Sequence, residues 1–342
     1  MALGFTKARS MGPVADAVER AGGSVARIFR KAELPLRLIE TPDQLILLKD
    51  QLAVVEYAAR ELDDETLPLV LSMQAGVRGL GAFGDRVRAA PTLKDAIERC
   101  NSGMCAMLQS ATHMRLEISG ELASWTYFVS DAAVLGRGKN ELLAFGYMSE
   151  TLETFGAGAP LRAELPSPPA ARAKLEDMLG CDIVRGDTAR LVFASAHLAR
   201  GNPFCAGTDA PLAGDVPPAC DFVGGVEHLL RLGLLDGLPT MDFVGARLGL
   251  SPRSLQRRLA EAGARFEVIR RRVLLERAVA LLADPRRPIT QVAFELGYSD
   301  PAHFSRAFLG MTGLSPRIWR KNRSVGGAGP RPAMLVTPAA KA

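Results

Sequence analysis

The chain is predicted to be a multidomain protein. An α+β N-terminal domain is followed by an all-α domain with two helix-turn-helix motifs joined by a long linker helix. Three observations predict this. One helix-turn-helix pattern occurs twice in the C-terminal third, at 241–259 and 289–308. Basic charge gathers around it: Thr240 to Arg323 holds 16 Lys and Arg against 7 Asp and Glu, and the rest of the chain 26 against 30. In the N-terminal part the apolar period changes from helical to alternating near residue 114, which marks a mixed domain.

The bulk properties bound the alternatives. A chain of 342 residues exceeds one comfortable core. With 48% hydrophobic and 23% charged residues it is globular in composition, not disordered. Cys100, Cys105, Cys181, Cys205 and Cys220 are an odd number without a CxxC pair, so reduced thiols are expected. No basic-apolar-cleavage pattern opens the chain, and no run of roughly 18 apolar residues occurs. A cytoplasmic protein without a membrane partner is expected.

In order along the chain, residues 12–31 carry apolar positions at helical spacing and lead into a Pro-bounded stretch, 35–42. A helix is expected from Asp43 to Leu62, started by Thr41-Pro42, and another over 91–111, opened by Pro91-Thr92-Leu93. Residues 114–119 and 124–130 alternate as strands around Gly120. Residues 139–155 are helical, and 181–194 are expected to form a hairpin turning at Gly186-Asp187. The Gly-, Pro- and Asp-rich interval after residue 200 has no period. The expected division is therefore a first domain at 1–200, a linker at 201–220, a helical domain at 221–323 and a disordered tail at 324–342.

The repeat carries the functional signal. Leu248-Gly249 and Leu296-Gly297 hold equivalent places 48 residues apart. In each copy a first helix offers an apolar face, expected to be Phe243, Val244 and Leu248 in one and Val292, Phe294 and Leu296 in the other. A small residue, Gly245 or Ala293, sits where two helices would cross closely. A glycine, Gly249 or Gly297, suits the left-handed helix end, and Leu250 or Tyr298 then plugs the angle. A second helix follows with Ser251-Pro252 or Asp300-Pro301 as cap and first residue. Its inner face is Leu255 and Leu259, or Phe304 and Phe308. The remaining positions are the candidate DNA-binding residues: Arg253, Ser254, Gln256 and Arg257 in the first copy, and Ala302, His303, Ser305 and Arg306 in the second. Arg reads guanine or grips phosphate, Gln pairs with adenine, and His or Ser does either. The helix expected over 266–283 would hold the two heads apart at the spacing of successive major-groove segments.

These residues carry a family resemblance. The stretch from Glu227 to Lys321, with GYSDPAHFSRAF, then TGLSP and Trp319-Arg320, resembles the DNA-binding domain of the AraC/XylS family of bacterial transcription regulators. Gly245 departs from that pattern, which usually has Ala there, and is expected to loosen its helix slightly. The N-terminal part is similar to the arabinose-binding-like sensor domain of some of these regulators, on Pro91-Thr92-Leu93, the strands in 114–128, and 181–194 leading to Leu198. The resemblance implies seven C-terminal helices, promoter DNA and RNA polymerase as partners, a small-molecule effector of unknown identity, and dimerisation. No cofactor is expected.

Other signals are weaker. Gly79, Gly81 and Gly84 spell GxGxxG, but a helix-like stretch precedes them where a dinucleotide site needs a strand. The four histidines are dispersed, and no metal-binding or nucleophile-base spacing is found, so no catalytic or metal residue is assigned. Trp125 and Tyr127 share a strand face, where core packing is favoured over lining a pocket. Arg27, Arg30 and Lys31 end an early helix and are read as solvated cations before an anion site. An enzyme fused to a DNA-binding tail, or an effector-independent architectural protein, are the rival readings.

Overall fold

A computed structural model describes residues 3–130, 135–204 and 214–324. The chain divides into two compact units, Met1–Gly225 and Val226–Ala342.

The first unit opens with β1 (Phe5–Lys7), then α1 (Val14–Arg20) and α2 (Val25–Lys31). Gly22, at φ +77°, and Gly23 break the helical pattern of 12–31 into two, and Ser24 caps α2 by accepting from the Arg27 N–H. The helix expected from Asp43 is shorter than its pattern: Leu45–Leu47 is β2, paired antiparallel with β1, and α3 runs Leu48–Leu62. Those three leucine and isoleucine residues are almost fully buried, and β1 supplies the backbone partners that a helix would otherwise provide. Then come α4 (Leu67–Ala75) and α5 (Ala82–Arg88). The GxGxxG stretch lies between and within them, preceded by a helix. At Gly84 an added Cβ would stand 1.8 Å from the Val77 carbonyl oxygen, so this glycine serves close packing.

The helix α6 (Leu93–Gly103) is capped by Thr92, whose Oγ1 accepts from the Asp95 N–H while donating to the Asp95 carboxylate. Its expected extension to 111 changes character, becoming one π turn at Met104–Leu108. Strands β3 (Thr112–Ser119) and β4 (Leu122–Val129) form a tight hairpin at Gly120, with φ +59°. Next are α7 (Arg137–Thr154), β5 (Arg162–Leu165), α8 (Arg172–Leu179), β6 (Asp182–Arg185) and β7 (Ala189–Ala194). The sheet order is β3-β4-β7-β5-β6. The expected hairpin at 181–194 is therefore not formed: β5 lies between β6 and β7, parallel to the first and antiparallel to the second. Glu164 on β5 fixes that insertion, receiving Arg162 on its own strand and Arg190 across on β7.

One face of the sheet carries Trp125, Tyr127, Ala163, Ile183, Leu191 and Phe193 into a core shared with α6 and α7. At Gly146 of α7, an added Cβ would stand 1.9 Å from Ser72 Oγ on α4, so the two helices meet there without a side chain between them. Part of the expected linker is tied to this unit, since Asn202 Nδ2 donates to the carbonyls of Arg88 and Ala90 and Lys7 pairs with Asp215 at 2.8 Å. Residues 205–213, and the expected tail beyond Ser324, lie outside the described residues.

The C-terminal helices are α9 (Phe222–Gly233), α10 (Met241–Leu248), α11 (Pro252–Glu261), α12 (Phe266–Leu282), α13 (Ile289–Glu295), α14 (Pro301–Thr312) and α15 (Pro316–Ser324). The long α12 has 17 residues, about 25 Å at the α-helical rise. It is joined to α9 by an ion-pair cluster in which Arg231 meets Glu227 at 2.5 Å and Glu276 at 2.8 Å, and Arg272 also meets Glu227.

Candidate nucleic-acid interface

Each head is built on the same local chemistry. In the first, Gly249 ends α10 at φ +64°, and the Leu250 N–H reaches back to the Gly245 carbonyl at 2.8 Å. In the second, Gly297 sits at φ +80° and the Tyr298 N–H reaches the Ala293 carbonyl at 3.0 Å. This return bond satisfies carbonyls that the helix end leaves open and sets the turn. The next helix then starts on a side-chain cap: Ser251 Oγ accepts from the Ser254 N–H at 3.2 Å, and the Asp300 carboxylate from the Ala302 N–H at 2.8 Å.

Gly245 proves to be a packing requirement. A Cβ there would approach the Leu250 carbonyl oxygen to 2.6 Å, so the glycine allows a closer crossing than alanine would. Phe294 corrects the expected inner face of the second head. It is 59% exposed, and the buried set on α13 and just after it is Val292, Ala293 and Leu296. The equivalent set in the first head is Val244, Gly245 and Leu248, with Phe243 only half-buried. Position 294 is half a turn away from 292 around the helix and faces outward for that reason.

The inner residues Leu255, Leu259, Phe304 and Phe308 are all essentially buried. On α11, Arg253 and Arg257 lie one turn apart on the opposite, exposed face, with exposed Gln256 flanking them. Arg257 has only a loose pair with Glu261, at 3.7 Å on the surface. On α14 the matching outer positions are Ala302 and Arg306, with exposed His303 at the flank against Tyr298, ring centroids 5.5 Å apart. The two serines differ from the other candidates. Ser254 is half-buried and joined to Ser251 Oγ at 3.0 Å, and Ser305 is half-buried and donates to the Pro301 carbonyl at 2.9 Å. Their hydroxyls already serve the helix starts. One outer residue escaped the sequence reading: Leu309, 47% exposed, continues the Ala302–Arg306 face by one turn. Its apolar type disguised it as a core position.

The first unit contains a cavity with about 530 Å³ of empty space, mouth included. Trp125 and Tyr127 both line it while nearly fully buried, so they pack in the core and wall the cavity at once. Of the early cations, Arg27 is engaged by Glu61 at 2.9 Å, and Arg30 and Lys31 are exposed. Among the described residues no group of three His, Cys, Asp or Glu side chains gathers as a metal site, and no helix is long and apolar enough to cross a membrane.

Two capped helix-turn-helix units in a basic all-helical unit, following an α+β unit with an apolar pocket, define a DNA-binding transcription regulator. Residues 22–202, more than half the chain, match the N-terminal arabinose-binding domain of AraC transcription regulators, and 244–322 match a helix-turn-helix domain. The chain belongs to the AraC family. It is 24% identical to the HTH-type transcriptional regulator VirS of Mycobacterium tuberculosis, over 96% of this chain and 100% of that one. With the HTH-type transcriptional regulator VqsM of Pseudomonas aeruginosa it shares 31% identity over 103 residues, 29% of this chain and 32% of the other. The crystal structure of the transcriptional regulator CdpR from Pseudomonas aeruginosa aligns over 79% of this chain and 90% of its own, at 20% identity and a TM-score of 0.37.

Proposed function

We propose that this regulator is a ligand-responsive activator in the cytoplasm. It binds promoter DNA as a dimer and reads two half-sites through Arg253, Gln256 and Arg257 on one recognition helix and Ala302, His303 and Arg306 on the other. Ser254 and Ser305 contribute by fixing the helix starts close to the phosphates. The observation that carries this reading is the pair of outer faces: each recognition helix buries two apolar residues and leaves a different polar set exposed. Two different sets imply an asymmetric operator half, because base-edge contacts specify and phosphate contacts only position.

The N-terminal unit takes the effector and the dimer contact. It is the more acidic part of the chain, whereas a basic helical unit repels its own copy. Pairing two DNA-binding units raises the local concentration of each without any new base contact. RNA polymerase is the partner that the family implies, and no catalytic residue or cofactor is assigned.

The test is anisotropy of labelled upstream DNA with the full chain, with and without a metabolite mixture, beside sedimentation of the same protein. Salt-dependent, sequence-preferring binding by a dimer, altered by the mixture, is the expected result. A chain that stays monomeric on DNA and ignores every metabolite would sink the reading.

A further inference from the structure

We propose that the cavity beneath Trp125 and Tyr127 is the effector site, and that it selects an uncharged, largely apolar molecule carrying one hydroxyl or N–H that donates to Gln51 Oε1. This deepens the ligand-responsive reading above and rests on it. The cavity is lined by the inner face of β4, by α3, α5 and α7, and by the π turn after α6. Its wall is mostly apolar, with Phe83, Leu80 and Trp125 as fixed surfaces and Met104, Met114 and Met148 as deformable ones.

Its polar residues are all neutral. No Asp, Glu, Lys, Arg or His lines it among the described residues. Burial pushes the Tyr127 hydroxyl and the Cys100 thiol each up to about 12, so neither becomes an anion near neutral pH. Arg86 acts on Cys100 from outside this lining, but among the lining residues themselves an ionised ligand would meet no counter-charge, and an unpaired charge at such depth is strongly disfavoured.

The polar residues are joined in one chain of hydrogen bonds. Ser10 meets Thr6, and Thr6 Oγ1 donates to Gln109 Oε1 at 3.3 Å. Gln109 Nε2 and Asn140 Nδ2 both donate to the Tyr127 hydroxyl, at 2.9 and 2.7 Å, and Gln51 Nε2 donates to Asn140 Oδ1 at 3.0 Å. With the amides so placed, each amide nitrogen on this route donates and the Gln51 oxygen is left at its end. The chain stops at Gln51 Oε1, which is fully buried and finds no partner among the described residues. An orphaned buried acceptor is costly and rare in folded proteins. What it lacks is a donor, and a ligand hydroxyl or N–H supplies one. The Tyr147 hydroxyl, buried and likewise without a partner, lies on α7 roughly two turns beyond Asn140, about 10 Å along the axis, and gives a second polar point.

The test uses the full chain without DNA at pH 8. Straight-chain primary alcohols of roughly four to ten carbons, their methyl ethers and the corresponding carboxylates are titrated by tryptophan fluorescence and thermal shift. The best alcohol is expected to bind, its ether about tenfold more weakly, and its carboxylate not at all. Gln51→Leu is expected to remove the alcohol's advantage over the ether while circular dichroism stays unchanged. Binding by none of the series, carboxylate binding as tight as the alcohol's, or a tenfold preference that survives Gln51→Leu would each overturn the assignment. Promoter anisotropy separates the two readings. A bound alcohol that leaves DNA affinity unchanged refutes the ligand response and keeps the site, whereas a response to another metabolite with an inert alcohol series refutes the site.

Discussion

The two helix-turn-helix heads share a backbone plan and differ in what fills it. In the first, the recognition helix rests on Leu255 and Leu259, and the crossing is tightened by Gly245. In the second, Tyr298, Phe304, Phe308 and Trp319 form a continuous run of ring contacts at 5.5 to 6.1 Å. Their outer faces diverge as well, with Arg253, Gln256 and Arg257 against Ala302, Arg306 and the exposed Leu309. The turn and cap signals determine where a recognition helix starts. Residues free of that duty determine what it packs on and what it reads.

The largest effects should come from the cores. Phe308→Ala is expected to cost about 3–5 kcal/mol, since it removes a fully buried ring from the aromatic run. Leu259→Ala lies in the 2–5 kcal/mol range for buried leucine and should fall below the phenylalanine in the same urea series. Equal losses, or the reverse order, would mean that the aromatic run adds nothing to the second head beyond what Leu255 and Leu259 give the first.

The turn glycines sharpen the comparison next. Gly249→Ala meets open space and carries only the left-handed backbone cost, about 1–2 kcal/mol. Gly297→Ala carries the same cost and drives its Cβ to 2.3 Å from the Leu238 nitrogen, adding about 1–3 kcal/mol of overpacking. Thermal melts of the two variants should differ by that second amount.

On the DNA side, Arg253→Ala or Arg257→Ala should cost about 1–3 kcal/mol of affinity and relax preference at one operator position wherever the arginine meets a base edge. A randomised operator library reads the difference. Uniform weakening by both substitutions would reduce the first head to a positioning device, and Arg306→Ala gives the same test for the second.

The caps should give the smallest change. Ser251→Ala and Asp300→Ala are each expected to lose about 1 kcal/mol of stability, with their recognition helices fraying at the start. Amide exchange at Ser254 and Ala302 would detect it, and protection unchanged at either site would remove that cap from the account.

Much of this was legible in the residues themselves, because helix ends, caps and left-handed turns are local. Ser251-Pro252, Asp300-Pro301, Gly249 and Gly297 determine their own conformations within four or five positions, and Thr92 with Asp95 does the same for α6. The repeat and the concentration of basic charge could likewise be read without coordinates. What the tertiary structure alone decided depends on partners far away in sequence. Residues 45–47 became a strand because β1 lies beside them, and β5 separated β6 from β7 because strand pairing is chosen across the sheet. Phe294 turned outward because the helix face is set by what it packs on, and apolar type alone could not say so. The cavity, and the unpaired oxygen of Gln51 within it, arise where α3, α7 and the sheet converge, and no spacing along the chain encodes a convergence of that kind.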